Sequence, residues 1–415
     1  MQRFSKSPRQ AAVFKGTPDD FVVEEITKSG HILEVGRRYD ADAAGDAQSD
    51  EGRFAVFVLQ KRDWNTAQAL ISIANACGRG RKSVGFAGTK DRASVSTQLC
   101  SIFGADPDAV SRVQIKDLAV NGAWRGKEGV RLGDLKGNRF TITARGAADV
   151  RAIEVINNEL GGIFPNYFGE QRFGFRNNNV EIGIAIMKGD FRSAAMSFLT
   201  NSENETKAEA VEARKRLGEE QDFTKALEYF PRYLKYERTI LGHLAQHGTD
   251  FAGAIRKLPR QLSLMFVHSV ESDMFNRAIE ARVRNGAVAP DAGDTVCSTD
   301  GNGWPDITNA HAAAASEKGA FLLGNIIGYN TQDVDAYEKE VLESIGIEPG
   351  MFRLKGMPEL SCKGTKRMLF APYLDFKADG AGTGSGDTVL SFSLPSGSYA
   401  TVLLDEFFER KPMDI

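Results

Sequence analysis

Strand-like segments occupy both ends of this 415-residue chain, and a long helical stretch separates them. At this length one ordinary core is not expected. The pattern therefore reads as one domain inserted into another, with both chain ends building a single sheet. In the first part, Phe21–Ile26, His31–Gly36, Arg53–Leu59, Ser83–Ala87, Gln98–Phe103 and Arg139–Ala144 are rich in Val, Phe and Ile and read as strands. Two helices interrupt them. Asn65–Cys77 carries Ala67, Leu70, Ile71 and Ala74 at helical spacing with Asn65 or Thr66 as N-cap, and Asp149–Leu160 is amphipathic. The acidic, small-residue run Asp40–Gly52 reads as a mobile loop. From Asn178 to Gly350 the chain turns helical, with Ser202–Tyr229 as charged helix and Leu262–Arg284 as a long helix stopped by Asn285-Gly286. Strand character returns after Glu359, at Val389–Leu394 and Tyr399–Leu404, and the glycine-rich turn Ala381–Gly386 precedes these. The expected fold class is α+β. Residues 1–177 with 351–415 form a discontinuous domain around a mixed, largely antiparallel sheet, and residues 178–350 form an inserted, mostly helical α+β domain.

Several function classes lose their support. No apolar run is long enough to span a membrane, and the polar, basic start MQRFSKSPRQ has no signal-peptide pattern, which sets a cytoplasmic expectation. Cys77, Cys100, Cys297 and Cys362 form no CxxC pair, against a structural zinc site or a disulfide scaffold. His243 and His247 have the i, i+4 spacing of a helical zinc pair, but Leu244 stands where a metalloprotease needs Glu. His31, His268 and His311 have no partner visible in the sequence and read as structural. The glycines of Gly382–Gly386 lack the context of a phosphate loop, and no GxSxG elbow occurs. No metal and no nucleotide cofactor are expected.

Charge is unevenly spread. The net charge is −3, yet Lys61–Arg145 holds fifteen Lys and Arg against seven Asp and Glu. A basic segment in an acidic chain suits an anionic partner such as a phosphate backbone, although a solvated mixed surface would look the same. Three segments are polar where a core strand would be apolar. GFAGTKDRASVSTQ (Gly85–Gln98) leaves a strand and presents Asp91 between two cations, and opposite charge favours the ionised form of a carboxylate. LKGNRFTI (Leu135–Ile142) turns at Gly137-Asn138 and opens a strand at Phe140. PNYFGEQRFG (Pro165–Gly174) interleaves aromatics with amides and an arginine, a composition that suits a base held by stacking and read on its edge, or an aromatic core corner.

Together with DDFVVEE (Asp19–Glu25) and FSLPSGSYAT (Phe392–Thr401), these segments resemble the TruD family of pseudouridine synthases, five motifs in the family's order. The resemblance implies a pseudouridine synthase catalytic domain built from both chain ends, with a family-specific domain between them. It implies a tRNA partner and a D-arm uridine, position 13 of tRNA, as substrate. By position, Asp91 matches the catalytic aspartate, Phe21 and Asn138 match residues lining the uracil pocket, and Phe140 would stack on the base. Tyr399 falls where the family places an aromatic ring, Lys15 is a candidate partner for Asp91, and Arg367 in GTKR (Gly364–Arg367) matches an element near the site. The run LLDEFF departs from the pattern, with Asp405 where relatives often have Arg before Glu406, and the long insert Glu203–Pro259 resembles the larger archaeal-type members. Two rival readings stand beside this one. A non-catalytic RNA-binding protein or chaperone of the same fold would keep the basic face, while a methyltransferase would need a glycine-rich donor loop that the sequence lacks.

Overall fold

The computed structural model describes residues 1–314, 317, 319–380 and 386–410. The chain divides into two compact units. A sheet unit comprises Arg3–Pro165, Thr299–Asp306 and Phe370–Ile415, and a helical unit comprises Met1–Gln2, Asn166–Ser298 and Ile307–Leu369.

The sheet unit is built on an eight-stranded sheet: β1 (Phe21–Thr27), β2 (Phe54–Arg62), β3 (Val84–Phe86), β4 (Val95–Phe103), β5 (Leu118–Gly126), β6 (Leu135–Ala144), β7 (Leu374–Gly380) and β8 (Thr388–Pro395). Their order is β7-β8-β6-β1-β4-β2-β5, with β3 paired to β4. Within this sheet only β1–β4 is parallel and every other pairing is antiparallel. The C-terminal strand β8 thus lies against β6, and β6 against the N-terminal β1. Of the turn expected between β7 and β8, residues 381–385 lie outside the described residues.

Alternation sets the faces. Ala55, Phe57 and Leu59 of β2 pack on Ala69, Leu70 and Ile73 of helix α1 (Thr66–Ala76), whose N-cap Asn65 accepts bonds from the amides of Ala67 and Gln68. The opposite residues, Val56 and Val58, pack with Leu33, Tyr39, Ala41, Ala44 and Trp124. The expected mobile loop is therefore ordered. Ala41 and Ala44 are buried, and Trp124 Nε1 donates to Asp46 Oδ2 at 2.8 Å. His31–Gly36 makes one bridge, Ile26 to Ile32, rather than a strand. Tyr399–Leu404 is not a strand either: Ala400–Phe407 is helical, because Ala400, Leu403, Leu404 and Phe407 at i, i+3, i+4, i+7 form one buried face. Strand β5 had no expectation.

In the helical unit the longest element is helix α2 (Arg260–Arg284), and the core gathers Phe266, Val267 and Val270 with residues from helices at Asn179–Met187, Phe191–Thr200 and Lys235–His247. The charged run expected as one helix breaks at Gln221, which is left-handed at φ 49°, into Ala208–Glu220 and Phe223–Tyr229. A four-stranded sheet adds Thr295–Cys297, His311–Ala312, Phe321–Ile326 and Thr365–Met368. The junctions thus fall at 165/166 and 369/370 rather than 177/178 and 350/351. Hydrogen bonds explain the shift. The Asn166 backbone N–H donates to Leu369 O at 2.8 Å and its Nδ2 to Met368 O at 2.9 Å, while Phe168 N–H donates to Asn276 Oδ1 on α2 at 2.8 Å.

At Gly137 the backbone of β6 leaves no room for a side chain beside β8. A methyl group there would lie 2.1 Å from the Leu394 carbonyl oxygen and 3.0 Å from the Trp304 ring. Gly137→Ala is therefore expected to lower the urea-unfolding free energy by about 1–3 kcal/mol, the cost of overpacking against fixed neighbours. An unchanged midpoint would mean that the strands separate freely.

Candidate active site

Asp91 lies on the turn between β3 and β4, and the turn is tied down by its backbone. The Lys61 ammonium donates to Asp91 O at 2.6 Å and Ser94 Oγ donates to the same oxygen at 2.7 Å. The Lys90 amide donates to Thr66 Oγ1 at 3.0 Å, and Gln98 Nε2 donates to Gly88 O at 3.1 Å. Lys90 itself turns inward to a buried ion pair, Nζ to Glu25 Oε2 at 2.7 Å. With its neighbour anchored inside, the Asp91 side chain faces out, 45 % exposed.

The cations flanking Asp91 in sequence are not its partners. Lys90 pairs with Glu25, and Arg92 pairs with Asp63. The partner is Lys15, whose Nζ lies 2.5 Å from Asp91 Oδ2 and 4.3 Å from the centroid of the Phe21 ring. Lys15 has a left-handed backbone, φ 62°, which costs an L residue about 1–2 kcal/mol. That strain lies beside the carboxylate.

Cross-strand register carries the site from Phe21 to the middle of the sheet. Phe392, Phe140, Val23, Ser96 and Lys61 make one row across β8, β6, β1, β4 and β2, and Leu394, Asn138 and Glu25 make the next across β8, β6 and β1. Paired residues share a face, so these side chains emerge on one side. The Phe140 ring stacks on Phe392 at 5.5 Å between centroids and meets Phe21 edge-on at 6.1 Å. Two buried atoms in these rows, Asn138 Oδ1 and Ser96 Oγ, make no hydrogen bond within the described residues. Such atoms are rare in folded proteins and suit a ligand that brings its own donor.

Five of the residues singled out from the sequence, Lys15, Phe21, Asp91, Asn138 and Phe140, thus belong to one connected part of the sheet unit. Tyr399 is 38 % exposed at the N-cap of the Ala400–Phe407 helix. Arg367 is in the helical unit, where it donates to Asn166 O at 3.0 Å and Oδ1 at 2.8 Å and covers the Phe168 ring at 4.2 Å. Asp405 pairs with Arg410, while Glu406 is buried and accepts the amides of Phe4 and Ser5, so the departure at Asp405 is a local matter. Lys61 and Glu25 went unnoticed in the sequence, although Lys61 continues the Ala55, Phe57, Leu59 alternation and so is a lysine on a core-facing position. Burial pushes the Lys61 ammonium down to about 8; nearby Asp91 acts the other way, and Lys90 adds to the depression.

The sequence model described as tRNA pseudouridine synthase D (TruD) matches residues 2–407. The chain is similar to the probable tRNA pseudouridine synthase D of Methanopyrus kandleri, 36% identical over 366 residues that cover 86% of this chain and 85% of that one. It is 31% identical over 425 residues to the probable tRNA pseudouridine synthase D of Methanosarcina barkeri, covering 96% and 93%. The crystal structure of the tRNA pseudouridine synthase D (TruD) protein of Methanosarcina mazei superposes with a TM-score of 0.78 at 30% identity, over 98% of this chain and 96% of that one.

Two outcomes follow for the framework of the site. Lys90→Met keeps the aliphatic stem but leaves the Glu25 carboxylate buried without its cation, and is expected to cost about 3–5 kcal/mol in urea unfolding. Lys90→Met with Glu25→Leu should recover most of that loss, and a double variant as unstable as the single one would contradict the account. For Lys61 the folded value of about 8 lies below the ordinary 10.5. Below pH 8 both states hold the proton and the folded chain bears the full cost of the buried charge. Between the two values only the unfolded chain binds it, so stability rises with pH. Relative to Lys61→Met, the wild type should gain on the order of 3 kcal/mol across that window, and parallel stability curves would refute it.

Proposed function

The chain belongs to the TruD family of tRNA pseudouridine synthases, and we propose that it isomerises a D-arm uridine, at position 13 of tRNA, with Asp91 as the reacting carboxylate. The observation that carries this reading is the Lys15–Asp91 pair standing over Phe21, next to Phe140 and the unpaired Asn138 Oδ1.

The reaction breaks the N1–C1′ bond, turns the uracil and joins C5 to C1′. The C5 proton leaves and N1 gains one, so atoms balance without an oxidant or a group donor. A single carboxylate serves if it attacks the sugar or base, or removes a sugar proton. Each route needs Asp91 aimed and charged, and Lys15 supplies both the direction and the countercharge. Asn138 Oδ1 accepts an N–H from the edge of the uracil. Phe140, backed by Phe392, holds the base from one face while it is detached, with Phe21 at the ring's edge. Only 7 % of Phe140 is exposed, so a base that is to reach it has to be turned out of its helix. Turning it out costs a few kcal/mol, which phosphate contacts offset. Arg79, Arg81, Lys82, Lys116 and Lys127 of the basic segment are exposed and free to face a backbone. Tyr399 and Arg367 are proposed as further substrate contacts.

Tritium release from tRNA labelled at uracil C5 tests the reading. Wild type should release tritium, and Asp91→Ala should release it more than about 10³-fold more slowly, the scale of losing a nucleophile, with tRNA affinity within a few-fold of wild type. Tight tRNA binding without release from any unmodified tRNA would leave an RNA-binding protein or chaperone of this fold instead.

A further inference from the structure

Helix α2 of the helical unit carries His268 and Glu271 one turn apart, and the chain returns Cys362 to the same spot. His268 Nδ1 lies 2.6 Å from Glu271 Oε2 and 3.9 Å from Cys362 Sγ, and the three ligand atoms all fall within 4.8 Å of one another. Among the described residues no other group of His, Cys, Asp and Glu converges in this way. Glu271 and Cys362 are 4 % and 7 % exposed, whereas the His268 side chain is 39 % exposed. Cys362 is fixed by its backbone, donating to Phe352 O at 3.1 Å and accepting from Tyr329 N at 2.9 Å.

We propose that His268, Glu271 and Cys362 form a binding site for a borderline divalent cation of the Zn²⁺ class, independent of the chemistry at Asp91. The donor set is one imidazole nitrogen, one carboxylate oxygen and one thiolate. Sulfur disfavours Mg²⁺ and Ca²⁺, and three protein ligands leave a fourth position for water on the exposed His268 side. Thiolate and carboxylate together carry two negative charges, which a divalent cation neutralises in a place where an unpaired buried carboxylate is costly. Zinc bonds of about 2.0–2.3 Å put tetrahedral ligands roughly 3.3–3.6 Å apart. The His–Glu distance must therefore open and the His–Cys distance close, both by less than an ångström, within reach of side-chain rotation. On binding, the thiol gives its proton to solvent and the sulfur lone pair goes to the metal.

A nucleophilic thiol activated by histidine fits less well. Glu271 and Cys362 both address Nδ1, so the carboxylate occupies the nitrogen that would have to take the thiol proton. His243 and His247 have the better-known spacing, but His243 Nε2 bonds Asp250, which caps the Phe251–Arg256 helix through Gly253 N.

The test uses the full chain, stripped with chelator and titrated with Co²⁺. Expected are one equivalent bound, a near-ultraviolet sulfur-to-cobalt band, and its loss on adding Zn²⁺. Cys362→Ser should abolish the band and weaken zinc at least about tenfold. His268→Ala, at a half-exposed side chain, should do the same to affinity even if the cysteine variant folds poorly, while His243→Ala leaves binding unchanged. Absence of micromolar Co²⁺ binding, a band that survives Cys362→Ser, or a loss that follows His243→Ala would each overturn the proposal.

Discussion

The buried ion pair between Lys90 and Glu25 fixes the geometry on which the candidate active site depends. Removing two charges from water costs several kcal/mol each, and the attraction between them compensates only if their remaining hydrogen-bonding capacity is used. Here Glu25 also accepts the Leu99 amide at 2.9 Å, and the Lys90 backbone is held by Thr66 at the start of α1. A turn anchored in this way has one orientation. Because Lys90 points in, Asp91 points out, and it meets a lysine from far away in sequence rather than the cations beside it.

The same argument extends to Lys61. It is a fully buried lysine whose ammonium holds the Asp91 carbonyl. Its burial is unfavourable at neutral pH, and the strained backbone of Lys15 adds a second local cost. Both costs fall within one bond of Asp91. Sites that need a charged group held in one direction commonly concentrate such costs, while the surrounding β-sheet supplies the stability that sustains them.

Strand order explains why the site requires both ends of the chain. Phe140 and Asn138 lie on β6, flanked by Phe21 and Glu25 on the N-terminal side and by Phe392 and Leu394 on the C-terminal side. No contiguous stretch of sequence contains that face. The Phe140–Phe392 stacking forms only when β8 closes against β6, so this aromatic row and the fold are completed by the same long-range pairing.

Much was legible beforehand, for local reasons. Val-, Phe- and Ile-rich runs marked β1, β2, β3, β4, β6 and β8, the Asn65 cap marked α1, and the motifs around Asp91, Asn138 and Phe140 carried the family resemblance that the matches over residues 2–407 then made firm. Errors arose where neighbours overrode local signals. Val- and Leu-rich Tyr399–Leu404 looked extended but follows its buried face into a helix, and the acidic loop at Asp40–Gly52 is ordered by Trp124. Aromatic Tyr167 and Phe168, read with the strands, belong to the helical unit through Asn166 and Asn276. The sequence by itself determined most of the element types and the family, because composition, periodicity and short motifs are properties of adjacent residues. Which cation faces Asp91, which lysine holds its backbone, and that His268 and Glu271 meet a cysteine 94 residues from the histidine were decided only by tertiary structure. Charge pairing and ligand convergence depend on distance in space, and chain separation says little about that distance until the strands and helices have packed.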